Sequence, residues 1–220
     1  MRFKVGASGT WTAWEAVANT KTLDLDDSDG SQTVYYEVKD KASNISETLT
    51  DAIVLDRVTP AGTIKINNDD PYTTSRTVTL TLTQSDATSG AKEMRFRVGA
   101  SGTWTDWEAV ADTKTLDLDD KDGSQTVYYE VKDKAGLVSD TLSDSIILDR
   151  VVPTGTIQIN NDDTYATSRD VTLNLTASDA TSGVDKIRFS LDSGSTWTAW
   201  EDSVSSKSLT LPEGDGTKEV

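Results

Sequence analysis

Eight aspartates supply the chemistry this sequence is best equipped for: Asp56, Asp69, Asp70, Asp86, Asp119, Asp120, Asp122 and Asp133. Carboxylates gathered in turns are ligands for hard cations, above all calcium, which takes roughly six to eight oxygens. Unneutralised, two such charges repel by about 1 kcal/mol at 4 Å in water and several-fold more when partly buried. The run Asp120-x-Asp122-Gly123 resembles only part of a calcium loop, because Leu118 stands at the first ligand position. Ordinary turn chemistry is the favoured reading of these acids; an inter-domain calcium is the alternative.

Two tryptophans are the second candidate. Trp104 and Trp107 lie three apart, and on one strand that spacing sends them to opposite faces, one into the core and one half exposed. An exposed indole offers a sugar ring an apolar face at low entropic cost, whereas packing on the sheet is the simpler role. A third motif, Ser190-Leu191-Asp192-Ser193-Gly194-Ser195-Thr196-Trp197, matches the Asp-box of sialidase propellers. It reads as a hairpin turn in which Asp192 caps backbone N–H groups, not as a catalytic element.

Composition excludes much else. The 220 residues contain no histidine and no cysteine, which removes the usual general base, the Ser-His-Asp triad, most zinc sites and any disulfide framework. A net charge of −16, from 37 acidic against 21 basic residues, opposes binding to nucleic acid or to anionic membrane surfaces. No single concave site with distinct acid and base partners can be read, so no enzymatic role is expected.

These residues recur. Met94-Arg95-Phe96-Arg97-Val98-Gly99-Ala100-Ser101-Gly102-Thr103-Trp104 restates Met1 to Trp11 with one Lys-to-Arg change, and Ile187-Arg188-Phe189 to Thr196-Trp197 restates it again, each time 93 residues on. A period that long is one small domain per repeat. Inside a repeat, period-2 alternation dominates: Ile64 and Ile66; Val78, Leu80 and Leu82; Met94, Phe96 and Val98; Leu116 and Leu118; Val127, Tyr129 and Val131; Ile146 and Leu148. With the Trp104–Trp107 segment this predicts about seven short antiparallel strands, an all-β fold of tandem immunoglobulin-like β-sandwiches. Pro60 and Pro153 mark the linkers, Arg57 to Pro60 and Arg150 to Pro153. The expected domains are 1–58, the C-terminal part of a repeat; 59–151, a complete one; and 152–220, the N-terminal part of the next. Met1 and Val220 both align with residues inside strands, so a fragment of a longer protein is expected, with its partial repeats frayed or paired with those of another copy. In this topology the turns at Asn67–Asp70 and Asp119–Gly123 fall at one end of the sandwich. The Asp86 and Asp133–Gly136 loops fall at the other, beside Asp56.

The ordered series Gly62-Thr63-Ile64, Val78-Thr79-Leu80, Ser89-Gly90, Met94-Arg95-Phe96, Trp104-x-x-Trp107-Glu108, Asp122-Gly123 and Val127-Tyr128-x-x-Val131-Lys132-Asp133-x-Ala135-Gly136 resembles the tandem immunoglobulin-like repeats of large prokaryotic surface or secreted proteins. The resemblance spans all three repeats. It implies non-catalytic spacer or stalk units of an adhesin-like protein, extracellular or at the cell surface. A carbohydrate-binding module using exposed Trp, or an accessory domain of an extracellular enzyme, is the alternative. The implied partners are neighbouring repeats of the same chain and a surface glycan or protein ligand, with no nucleic acid and no direct membrane insertion. No cofactor is implied apart from calcium.

Overall fold

The computed structural model describes residues 1–220. Sixteen strands follow one another with no α-helix. The first three are β1 (Arg2–Val5), β2 (Gly30–Glu37) and β3 (Leu49–Leu55). Then come β4 (Ala61–Ile66), β5 (Tyr72–Thr73), β6 (Thr77–Ser85), β7 (Ala91–Val98), β8 (Glu108–Ala109), β9 (Thr113–Asp117), β10 (Gly123–Asp133) and β11 (Leu142–Leu148). The last five are β12 (Thr154–Ile159), β13 (Asp170–Ser178), β14 (Lys186–Ile187), β15 (Glu201–Asp202) and β16 (Ser206–Thr210). The chain divides into two compact units: Met1–Asp69 with Thr77–Asp119 and Gln125–Ser145, and Asp70–Arg76 with Asp120–Ser124 and Ile146–Val220.

Alternation decides which strands are long. In β6 the apolar Val78, Leu80 and Leu82 are buried while Thr77, Thr79 and Thr83 face solvent. This places Ile64 opposite Leu82 and Ile66 opposite Leu80 on β4, and Val78 opposite Leu116 on β9, in the antiparallel sheet β4-β6-β9. The facing sheet has the order β5-β11-β10-β7-β8. Here Phe96 and Tyr129 pair across β7 and β10 with rings stacked 5.2 Å apart, beside Met94 and Val131. Each of these side chains, fully buried, contributes about 1.5–3 kcal/mol. Within the first unit the two layers touch directly. The Tyr129 hydroxyl reaches the Thr83 carbonyl and the Gln84 side chain at 3.5 and 3.4 Å, and the Ile66 amide donates to Asp144 at 2.7 Å. Gly62 lies where a Cβ would stand 2.5 Å from the Thr83 carbonyl oxygen of the neighbouring strand and 3.3 Å from Tyr129 in the facing layer, so the backbone approach of β4 to β6 requires glycine there. The fold is all-β, with a two-layer sandwich, as the alternation predicts.

Two features depart from the expected strands. The strand through Trp104 and Trp107 is absent; pairing resumes only at Glu108 in the two-residue β8. And β5, too short to show a pattern, leaves the sheet of β4 and pairs in parallel with β11, Tyr72 beside Ile147 and Thr73 beside Leu148. The turn between β4 and β5 is left-handed, with Asn67, Asn68 and Asp69 at φ 46, 59 and 68°. Asn and Asp tolerate this region because their short polar side chains bond locally. Asn67 accepts from the Thr79 amide at 2.9 Å and Asn68 from the Thr81 hydroxyl at 3.2 Å. Asn160, Asn161 and Asp162 repeat the turn at φ 47, 60 and 74°.

In the second unit β12, β13 and β16 form a sheet with the registers of β4, β6 and β9, around Val171, Leu173, Phe189 and Leu211. In the first unit β1, β2 and β3 form a sheet of their own.

Candidate functional site

Three of the eight aspartates meet. Asp56 follows β3, Asp86 follows β6 and Asp133 ends β10, and each offers a carboxylate oxygen within 4.8 Å of the others. The loops that carry them are built by the carboxylates themselves. Asp86 Oδ1 accepts from the amides of Gly90, Ser89 and Thr88 at 2.7, 2.9 and 3.1 Å. These bonds, that from Gly90 foremost, hold its carboxyl below the usual aspartate range against the opposing effect of desolvation. Asp133 Oδ1 accepts from Gly136 and Leu137 at 2.7 and 2.9 Å. Asp56 accepts from Val58 through Oδ1 and from Ser89 through Oδ2, both at 3.1 Å, which fastens the segment after β3 to the Asp86 loop. Two oxygens are left over. Asp86 Oδ2 and Asp133 Oδ2 are buried without a hydrogen-bond partner, and Asp133 as a whole is 1% exposed. With oxygen ligands only, the group could hold a hard divalent cation.

The other five do not join it. Asp69 pairs with Lys65 across the left-handed turn, while Asp70 and Asp119 are exposed. Asp120 and Asp122 share one cation: Arg150 reaches Asp120 with Nη1 at 2.6 Å and Asp122 with Nε at 2.7 Å. The hydrogen bond from Arg150, with the nearby charge of Arg76, lowers the Asp120 carboxyl below its ordinary range. The segment after β3 is fastened in the same way, Arg57 to Asp27 at 2.6 Å and to Asp29 at 3.0 Å. Sequence reasoning missed these arginines, although both follow Leu-Asp at a linker and stand 28 residues after the second acid of a turn.

The tryptophans also differ from expectation. Trp104 and Trp107 are both half-buried and both stack on Arg95, its guanidinium carbon 4.7 and 4.5 Å from the two ring centroids. Neither plugs the core. The alternation rule fails because one residue, not a continuous ladder, holds this segment: the Phe96 amide donates to the Thr105 hydroxyl at 3.1 Å while the Thr105 amide donates to the Phe96 carbonyl at 2.8 Å. Arg97 lies between Trp104 and Tyr128 at 4.9 and 4.4 Å, and Lys132 covers Trp107 at 4.4 Å. The result is a ladder of alternating rings and cations on the outer face of the sheet. Arg2 between Trp11 and Trp14, and Arg188 between Trp197 and Trp200, repeat its centre. The Asp-box residues form a turn: Asp192 accepts from the Thr196 amide at 2.8 Å and its hydroxyl at 2.6 Å.

Repeated β-sandwich elements, turn-building aspartates and arginines that each bind two of them define an all-β tandem-repeat protein. No protein-family model matches the chain, and no curated protein matches it. Among solved structures it is similar to the crystal structure of a tetra-tandem repeat in the extending region of a large adhesion protein, at 18% identity and a TM-score of 0.30. The match covers 96% of this chain and spans 57% of that one. No helix is long and apolar enough to cross a membrane.

Proposed function

We propose that this chain is a run of non-catalytic immunoglobulin-like spacer repeats from the stalk of an adhesin-like protein at the cell surface or secreted. The domains of this reading are 1–58, 59–151 and 152–220. The observation that carries it is the arginine at each linker. Arg57 and Arg150 each bind two aspartates of the turn that precedes them, so the same device restrains the chain wherever one repeat ends. A single exposed ion pair is worth little, but a two-point guanidinium fork fixes direction as well as distance. The parallel pairing of β5 with β11 supports the immunoglobulin-like type. The stacking of both Trp104 and Trp107 on Arg95 favours a structural role for the rings over a sugar platform.

Small-angle scattering tests this reading. The chain should scatter as a rigid particle, and the double variant Arg57→Ala/Arg150→Ala should gain the signature of flexibly linked domains. A wild-type profile already as flexible as the variant's would overturn it. Antibody raised against residues 59–151 should label intact source cells or their medium; signal confined to the lysate would exclude the surface location.

A further inference from the structure

We propose that the outer face of β7 and β10 is a docking surface for an acidic segment of a partner protein, with Arg97 as the cation that receives its carboxylate. This goes beyond the spacer reading and stands whether or not that reading holds.

The charges on this face do not balance. Arg95 pairs with Glu130 and Lys132 pairs with Glu93, each at 2.6 Å. Arg97, the next outward residue of β7, reaches no carboxylate. Its hydrogen bond runs from Nη1 to the Ala100 carbonyl at 2.8 Å, and its Nε is buried without an acceptor. Asp119 lies over Gly99 in the turn that follows and forms no ion pair with Arg97. A half-buried guanidinium without a counter-ion binds a carboxylate through charge-assisted hydrogen bonds, which are about twice as strong as neutral ones.

This cation is also pre-organised. Trp104 and Tyr128 hold it between rings at 4.9 and 4.4 Å, so little side-chain freedom remains to be lost on docking. Arg, Trp and Tyr are the residue types that dominate the energy of protein–protein contacts.

The repeat changes the cation and keeps the arrangement. In the first repeat the place of Arg97 is taken by Lys4, whose Nζ lies 5.5 Å from the Trp11 ring centre and 4.6 Å from that of Tyr35. Lys4 likewise donates to a turn carbonyl, that of Ala7 at 2.7 Å, while the Glu37 carboxylate is taken by Arg2 at 2.7 Å. Lysine and arginine share a charge and not a planar fork, so negative charge is what this place selects. In the third repeat Ser190 stands there and bonds to Asp192 at 2.8 Å, which leaves two such sites in the chain.

The rings favour a peptide over a saccharide. Trp104 meets both Arg95 and Arg97, and Trp107 meets both Arg95 and Lys132. Cations thus cover the indole faces on which a sugar ring would stack. Acidic side chains need no open ring face. The rest of this acidic chain opposes such a partner only over about 8 Å at 0.15 M salt.

A hexaglutamate peptide titrated into the full 220-residue chain at about 0.15 M salt, followed by calorimetry and tryptophan emission, should saturate at two peptides per chain. Arg97→Ser, a residue the third repeat accepts at this position, should halve that number, and Arg97→Ser with Lys4→Ser should abolish binding. Arg97→Lys should keep both sites. Lys65→Ser, which removes an exposed cation from the facing sheet, should change nothing. If Arg97→Ser fails to fold, Lys4→Ser alone should halve the number. Hexagalacturonate, with its carboxylates on sugar rings, should bind at least about tenfold more weakly. No heat and no change in emission at about 1 mM peptide, full stoichiometry in Lys4→Ser and Arg97→Ser, loss of binding in Lys65→Ser, or hexagalacturonate binding as tight as the peptide would each overturn the assignment.

Discussion

Arg95 donates to Glu130 through Nε at 2.8 Å and Nη2 at 2.6 Å while its guanidinium plane is held between Trp104 and Trp107. One side chain thus joins a neighbouring strand to a segment that has no strand of its own. Glu130 is only 8% exposed, so loss of the arginine strands a nearly buried carboxylate as well as two stacking contacts. Arg95→Ala should cost about 2–4 kcal/mol in urea denaturation and shift tryptophan emission to the red. Arg95→Lys should recover only part of this, since an ammonium cannot stack flat on two rings.

The left-handed turn gives a second expectation. Asn68 has φ 59°, and its Oδ1 accepts from Thr81. Asn68→Ala places a Cβ in the left-handed region and removes the acceptor, a loss of about 1–2 kcal/mol. Asn68→Gly should lose less, because glycine enters that region freely. Equal losses in the two variants, measured by chemical denaturation, would show that the hydrogen bond and not the backbone sets the cost.

Acid should loosen the segment at Arg150. The Asp120 carboxyl sits below its ordinary value of 3.8 in the folded chain. Its contribution is therefore complete above 3.8 and is lost as the pH falls through the lower folded value. Amide exchange at Arg150 and Val151 should accelerate in that acid range, and Arg150→Ala should exchange fast already at neutral pH.

Alkali should reveal Tyr129. Burial pushes its phenol from 10.0 up to about 12. The neutral phenol's contribution is whole below 10.0 and disappears as the pH rises through about 12. Ultraviolet titration should show a late ionisation near that value which Tyr129→Phe removes.

The sandwich was legible because its long strands bury one face each. Val78, Leu80 and Leu82 on β6, and Val127, Tyr129 and Val131 on β10, alternate with outward residues over enough length to declare both strand and facing. What escaped depends on non-local partners. β5 has two residues and exists only because the edge of β11 is there to receive it. Trp104 and Trp107 obey no alternation because the Thr105 hydroxyl replaces a ladder bond. The meeting of Asp56, Asp86 and Asp133 was legible from topology, which puts their loops at one end of the sandwich, whereas the Oδ1 bonds that shape those loops were not. Arg150 was passed over as linker because its partners lie 28 and 30 residues back.

Strand β5 has a mechanical consequence. The amides of Ile147 and Asp149 donate to the carbonyls of Pro71 and Thr73 at 3.0 and 2.9 Å, and β11 runs straight on into the following linker. Freeing β11 therefore requires breaking these bonds as well as its pairing with β10, so two residues that leave no trace in the hydropathy pattern guard the open edge of the sheet.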